Sequence, residues 1–246
     1  MIDRIVSMGA MLLLASLSLQ AAGKYGDLDH AGSNVFDQAS VQRGATLFVN
    51  YCMSCHSAEF VRYQHLVNDL DLSEEEVLGN LAFGDQELSD YLLAAMRDED
   101  AEEWFGVVPP DLTLTARSRG PDWIYTFMRS FYLTDDGWNN TVLEHPSMPH
   151  VLWELQGIQR AVTEQREASG GEVRTEVVSL ELDQPGAMSP TEYDRAIRDL
   201  VAFMEYISEP AQLTRKRLGI WVFLFLSLFT FISWLLYQEY WKDVKK

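Results

Sequence analysis

Cys52-Met53-Ser54-Cys55-His56 is a C-x-x-C-H run, and its two cysteines are the only ones in the 246 residues. Two thiols at this spacing can add across the two vinyl groups of one haem. The histidine that follows at once then falls under the iron as an axial imidazole ligand. A chain carrying such a run has to wrap its remaining residues around a flat, apolar group. Zinc would need a second ligand pair of similar spacing, and no further cysteine exists to supply it. A thioredoxin-like redox pair would not need His56 and would sit in a βαβ context, which the sequence lacks. Cys52 and Cys55 are therefore read as the attachment thiols of a single covalent haem c, with His56 as a metal ligand.

Both ends of the chain are apolar. Arg4 precedes an apolar run from Ile5 to Leu19, followed by Ala21-Ala22-Gly23. That layout predicts a signal peptide over 1–22, cleaved near Ala21 or Ala22. Leu218 to Tyr237 is a twenty-residue run without a charge. As a helix rising about 1.5 Å per residue it would span roughly 30 Å, the thickness of a bilayer's hydrocarbon core. Trp221, Trp234, Tyr237, Tyr240 and Trp241 sit towards its ends, as interfacial aromatics do. Basic residues flank the run on both sides, so charge alone does not orient it. Covalent haem attachment in bacteria takes place outside the cytoplasm. The expectation is therefore a periplasmic domain over 23–214 and an anchor over 215–246, single-pass in the bacterial inner membrane, with the C-terminus cytoplasmic.

The net charge of −18 is unevenly spread. Residues 215–246 hold six Lys/Arg against two acids, and residues 1–22 hold one of each sign, which leaves −22 for 23–214. That sign excludes a nucleic-acid partner. Acidic clusters at Asp69, Asp71 and Glu74-Glu75-Glu76, and at Asp98-Glu99-Asp100 with Glu102-Glu103, fit either a solvated surface or a docking field for a basic partner.

The fold expected is mainly α, with long loops. A first helix is predicted from Ser40, as N-cap, to the C-x-x-C-H run, with Gly44 and Phe48 at a close crossing by another helix. Ser73 and Glu76 form a capping box. A further helix is predicted over Asp85–Arg97. Another runs from Pro121 to about Phe131, aligning Trp123, Phe127 and Phe131. The alternation in 160–187, around Ser169-Gly170-Gly171, predicts a small β-hairpin insertion. Ser189, Pro190 and Glu192 open a last domain helix that Pro210 stops.

An iron that only exchanges electrons needs a sixth ligand, and a thioether is the usual partner of imidazole in c-type carriers. Met148 lies in Pro146-Ser147-Met148-Pro149, a stiff loop that can present a sulfur with little loss of entropy. Met188 is its rival. Met96, Met128 and Met204 fall on predicted helices and read as core. His145 and His150 read as exposed loop histidines.

The chain resembles cytochrome c1 of the cytochrome bc1 complex, in its bacterial type. The resemblance runs through Phe36-Asp37, Ala39-Ser40, Arg43-Gly44, Tyr51-Cys52, Cys55-His56-Ser57, Arg62-Tyr63 and His65-Leu66. It continues in Pro109-Pro110-Asp111-Leu112, Arg117, Arg119, Met148-Pro149 and Glu209-Pro210, and ends in Arg215-Lys216-Arg217 with the single C-terminal span. It implies a class I-like c-type cytochrome domain, with Met148 as the axial methionine and Arg119 beside a haem propionate. It also implies that Pro110 offers a carbonyl to the second nitrogen of His56. Two departures stand out. Asn139-Asn140 lies closer to Met148 than in most of the family, and the extra disulfide of some bacterial relatives is absent.

What the resemblance implies is an electron-transfer subunit of quinol–cytochrome c reductase. It takes electrons from a Rieske iron–sulfur protein and passes them to a c-type cytochrome, beside cytochrome b in a dimeric complex. No residue is assigned a catalytic role. Two alternatives remain: a membrane-anchored monohaem cytochrome serving another oxidase or reductase, and a haem enzyme or ligand sensor with an open iron site.

Overall fold

The computed structural model describes residues 28–167 and 173–244. The expected signal peptide and Ser169-Gly170-Gly171 lie outside them. Helix α1, Gln38–Leu47, is capped by Asp37, whose carboxylate accepts from the Ser40 amide at 3.2 Å. Ser40, the cap expected from sequence, instead donates its hydroxyl to Asp199 at 2.6 Å. The cap falls on Asp37 because its carboxylate reaches an amide of the first turn, while the buried Asp199 claims the serine. From Phe48 to Cys52 the helix widens into a π turn. Such turns interrupt the regular ladder and recur at functional sites. Here it delivers the C-x-x-C-H run, whose Cys55 and His56 amides both donate to the Cys52 carbonyl, at 3.0 and 2.8 Å.

Helix α2, Tyr63–Leu70, follows the short strand β1, Ala58–Arg62. Helix α3, Glu74–Asn80, begins with the predicted box: Ser73 Oγ accepts from the Glu76 amide, and Glu76 accepts from the Ser73 amide at 2.8 Å.

The helix expected over Asp85–Arg97 does not form. The segment pairs outward instead. Its strand β2, Tyr91–Leu92, is antiparallel to β1. The Ala94 amide donates to Ser57 Oγ at 2.8 Å and the Met96 amide to the Ser54 carbonyl at 3.1 Å. These long-range partners outweigh the segment's local helical pattern and fasten it to the C-x-x-C-H loop. The helix comes later, as α4, Asp98–Phe105, with Asp98, Glu99 and Asp100 in its first turn. Acids are favourable there, against the partial positive charge of the helix start.

Helices α5, Thr115–Arg119, and α6, Pro121–Arg129, are separated by Gly120. Phe131 lies beyond α6, on strand β3, Phe131–Thr134, rather than on the helix as predicted. It still continues the aromatic row: Trp123 stacks on Phe127 at 4.9 Å, and Phe127 meets Phe131 edge-on at 4.9 Å. β3 pairs with β4, Gly137–Asn140. After the short helix α7, Trp153–Gln156, the chain forms a hairpin of β5, Gly157–Glu167, and β6, Val173–Pro185, close to the bounds expected for the insertion. Its base is tied to the domain by Gln159, whose amide nitrogen donates to the Arg129 and Phe131 carbonyls at 2.9 Å each.

Helix α8, Pro190–Ser208, opens on the Ser189–Glu192 capping box and crosses α1. The crossing is close because Gly44 lacks a side chain. A Cβ there would overlap the Asp199 carbonyl and the Phe203 side chain. Phe48 packs against Phe203 beside it, ring centroids 5.3 Å apart. The buried Asp199 accepts from Ser40 and from Arg43, whose Nε lies 2.6 Å away, so its desolvation is compensated. Finally, α9, Gln212–Tyr240, is long and apolar enough to cross a membrane, and none of its apolar window is buried against the domain.

Candidate haem site

The π turn, the Pro109–Leu112 segment, α5, α6, α8 and the loop 141–149 enclose a cavity of about 570 Å³, within the roughly 300–1,000 Å³ of small-molecule sites. Its wall includes Cys52, Cys55, His56, Pro110, Arg119 and Met148, all six residues singled out in the sequence. His56 and Met148, 92 positions apart in sequence, thus share one chamber. Met188 packs on the core but is not part of the cavity wall. Met128 and Met204 do line it, from α6 and α8, and are almost fully buried.

His56 Nδ1 lies 2.8 Å from the Pro110 carbonyl oxygen. A carbonyl only accepts, so Nδ1 carries the proton and Nε2 keeps its lone pair, the state in which imidazole binds a metal. Burial lowers the His56 pKa, opposed by the Pro110 bond and by the charge of Asp111. The carbonyl is held in place from several directions. The Leu112 amide donates to the Ser57 carbonyl at 2.8 Å, and Asp111 accepts from the Glu59 and Thr113 amides at 2.7 and 2.9 Å.

Cys52 and Cys55 form no disulfide with each other, and burial pushes the Cys52 thiol up to about 12. No cluster of three or more His, Cys, Asp or Glu able to hold a metal ion occurs among the described residues. Among the described residues Arg119 is the only basic side chain in the wall besides His56, and its guanidinium lies over the Trp123 ring at 4.5 Å. A mostly apolar chamber, two thiols, an imidazole with a free lone pair and one guanidinium together fit a haem with its propionates.

The loop that carries Met148 is fixed at both ends by residues whose part the sequence reading missed. Asn140 is fully buried. Its side chain donates to the Phe127 carbonyl at 2.8 Å and accepts from the Val142 and Leu143 amides at 2.8 and 3.2 Å. Asn139 accepts from the His145 amide at 2.8 Å. The Asn-Asn pair just before the loop is the signal that could have disclosed this. At the other end, His150 corrects the sequence expectation: it is 1% exposed, not a surface histidine. Its ring stacks on Phe131 (4.9 Å, 6° between planes) and meets Trp138 edge-on at 5.2 Å. Burial lowers its pKa to about 4 although the nearby Gln156 amide favours the proton, and neither ring nitrogen reaches a hydrogen bond of normal geometry. His145 is exposed, as expected.

The chain matches the cytochrome C1 family over residues 30–82 and 74–244. It belongs to the cytochrome c1 family. It is 47% identical to cytochrome c1 of Allochromatium vinosum, over 96% of this chain and 98% of that one. It is 27% identical to cytochrome c1 of Rhodospirillum rubrum, over 85% and 84%. It is also 43% identical, over 95% of each chain, to a Nitrosomonas europaea protein named ammonia monooxygenase gamma subunit. Cytochromes c1 are the haem-bearing electron-transfer subunits of bc1 complexes, so haem binding and electron transport follow for this member of the family.

Proposed function

We propose that this cytochrome c1 carries one covalent haem c and relays single electrons from a Rieske iron–sulfur protein to a c-type cytochrome, within a dimeric complex that contains cytochrome b. One observation carries the reading: a single chamber gathers Cys52, Cys55, His56, Pro110, Arg119 and Met148 from distant parts of the chain. In this reading the Cys52 and Cys55 thiols would hold the haem through its vinyl groups, each S–H adding across a double bond with no leaving group. His56 through Nε2 and Met148 through Sδ would hold the iron, and Arg119 would neutralise a propionate. The haem supplies one-electron exchange at iron. The protein's own part is to exclude water, fix the imidazole through Pro110 and hold the sulfur. With His56 and Met148 both holding the iron, the reading assigns this chain electron transfer and no bond chemistry of its own.

The domain is read as a class I-like c-type cytochrome fold that faces the periplasm. Helix α9 crosses the inner membrane and its C-terminus lies in the cytoplasm. The excess of acid in the domain favours a basic electron acceptor. The similarity to a protein named for a monooxygenase supports one second reading, a monohaem cytochrome that serves a different oxidase. Mild detergent extraction and purification through a tag on this chain separates the two. Recovery with a cytochrome b and a Rieske protein supports the first. Recovery with a monooxygenase or a terminal reductase, and without those two, overturns it.

A further inference from the structure

The loop from Thr141 to Pro149 contains no helix or strand, yet it carries the sulfur proposed to bind the iron. A neutral thioether is a weak ligand, so its occupancy depends on how firmly the backbone behind it is held. Asn140 holds the start of the loop with hydrogen bonds. The end is held differently. His150 is buried and has no hydrogen bond of normal geometry to set its orientation. The ring is held by a parallel stack on Phe131 and by the edge of Trp138, with the Gln156 amide beside it. Phe131 in turn belongs to the row that runs through Phe127 and Trp123 to Arg119. One aromatic column therefore joins the guanidinium in the cavity wall to the residue two positions after Met148.

We propose that His150 is a positioning residue for Met148, acting through its stack between Phe131 and Trp138 to keep the sulfur on the iron. This rests on the reading of Met148 as the axial ligand. The column sets the exit of the loop, and strands β3 and β4 supply both ring partners. What matters is therefore a flat ring at position 150 and not its nitrogens.

The test uses the full-length haem-loaded chain in detergent. Two readouts report on iron ligation: the long-wavelength charge-transfer absorption of a thioether-bound ferric haem, and carbon monoxide binding to the ferrous form. Met148→Leu first tests the underlying reading, and unchanged absorption in that variant would show that another residue is the ligand. With the absorption lost in Met148→Leu, His150→Ala is expected to weaken it and to raise the carbon monoxide association constant roughly tenfold, equivalent to about 1.4 kcal/mol. His150→Phe, which keeps a flat ring, is expected to behave as wild type, and His150→Gln, polar but without a ring, to behave as His150→Ala. Trp138→Leu removes the edge contact from the outer side and is expected to raise carbon monoxide binding by a smaller factor. It keeps the test available if His150→Ala takes up no haem. Unchanged ligation in both His150→Gln and Trp138→Leu, or a loss in His150→Phe as large as in His150→Gln, overturns the positioning role and leaves the Met148 assignment standing.

Discussion

His56 and Pro110 stand 54 positions apart and share one hydrogen bond, 2.8 Å from the ring Nδ1 to the carbonyl oxygen. That bond settles which nitrogen is protonated and leaves the other with its lone pair. Its strength depends on the turn that presents the carbonyl, and the turn depends on Asp111. Asp111→Ala removes the acceptor of two backbone amides, at Glu59 and Thr113. The expected cost is about 1–3 kcal/mol of stability. Thermal unfolding of the haem-loaded protein should show a lowered midpoint, whereas Asp111→Asn, which keeps one acceptor oxygen, should lose less.

Met148 lines the cavity and Met188 does not. Met148→Leu is expected to lower the reduction potential and to let the ferrous iron take up carbon monoxide readily. Met188→Leu should change neither. A redox titration of the two variants side by side checks the assignment, and the reverse pattern would move the ligand to Met188.

Arg119 brings a positive charge to the cavity wall. A cation beside the haem favours the reduced form, which carries one charge less. Arg119→Gln is therefore expected to lower the midpoint potential, on the order of 60 mV, a tenfold change for a one-electron couple. Arg119→Lys should recover part of the shift, because the charge returns without the flat fork that lies over Trp123. A potentiometric titration reads both.

Gly44 lets α1 and α8 touch. With Ala at that position the new methyl overlaps the Asp199 carbonyl and the Phe203 side chain, so the helices have to separate. Gly44→Ala is expected to destabilise the domain by about 1–3 kcal/mol. The π turn continues directly from α1, so haem incorporation should fall as well. Denaturant unfolding followed by haem absorbance measures both effects.

Glu209 accepts from Arg215 at 2.9 Å and from Arg117 at 2.6 Å, which ties the start of α9 to the helix that carries Arg119. Hydrogen bonding and charge from Arg215, then from Arg117, hold its pKa below the usual carboxylate range. The native pKa is lowered, so the tie is complete above the ordinary carboxylate pKa and is lost as pH falls through the depressed native value. Glu209→Gln removes the charge at every pH. It is expected to speed proteolytic cleavage between residues 209 and 217 at neutral pH. In wild type, faster cleavage should come only at acid pH, read with a protease active there.

The features legible in the sequence are those whose signal is local. The C-x-x-C-H run, the Ser73–Glu76 and Ser189–Glu192 boxes and the uncharged run of α9 each carry their physics within a few residues. The close approach at Gly44 was readable too, since a glycine and a phenylalanine on one helical face invite a crossing. The segment 85–97 was misread because its backbone bonds go to Ser54, Ser57 and β1, partners that no window of neighbouring residues contains. His150 was misread for the same reason. The stretch before it, His145-Pro146-Ser147-Met148-Pro149, is proline-rich and reads as an exposed loop, and its burial comes from Phe131 and Trp138 across a hairpin. Met148 was favoured over Met188 by the stiffness of its loop, but only the enclosing walls show why that loop faces the cavity.

The proposed electron relay requires one haem joined covalently to Cys52 and Cys55. The direct measurement is the haem retained by the purified chain after full denaturation and acid–acetone extraction, quantified per polypeptide from its reduced pyridine spectrum. One haem per chain is expected, lost from Cys52→Ala/Cys55→Ala protein. Haem that extracts completely from the wild-type chain would contradict it.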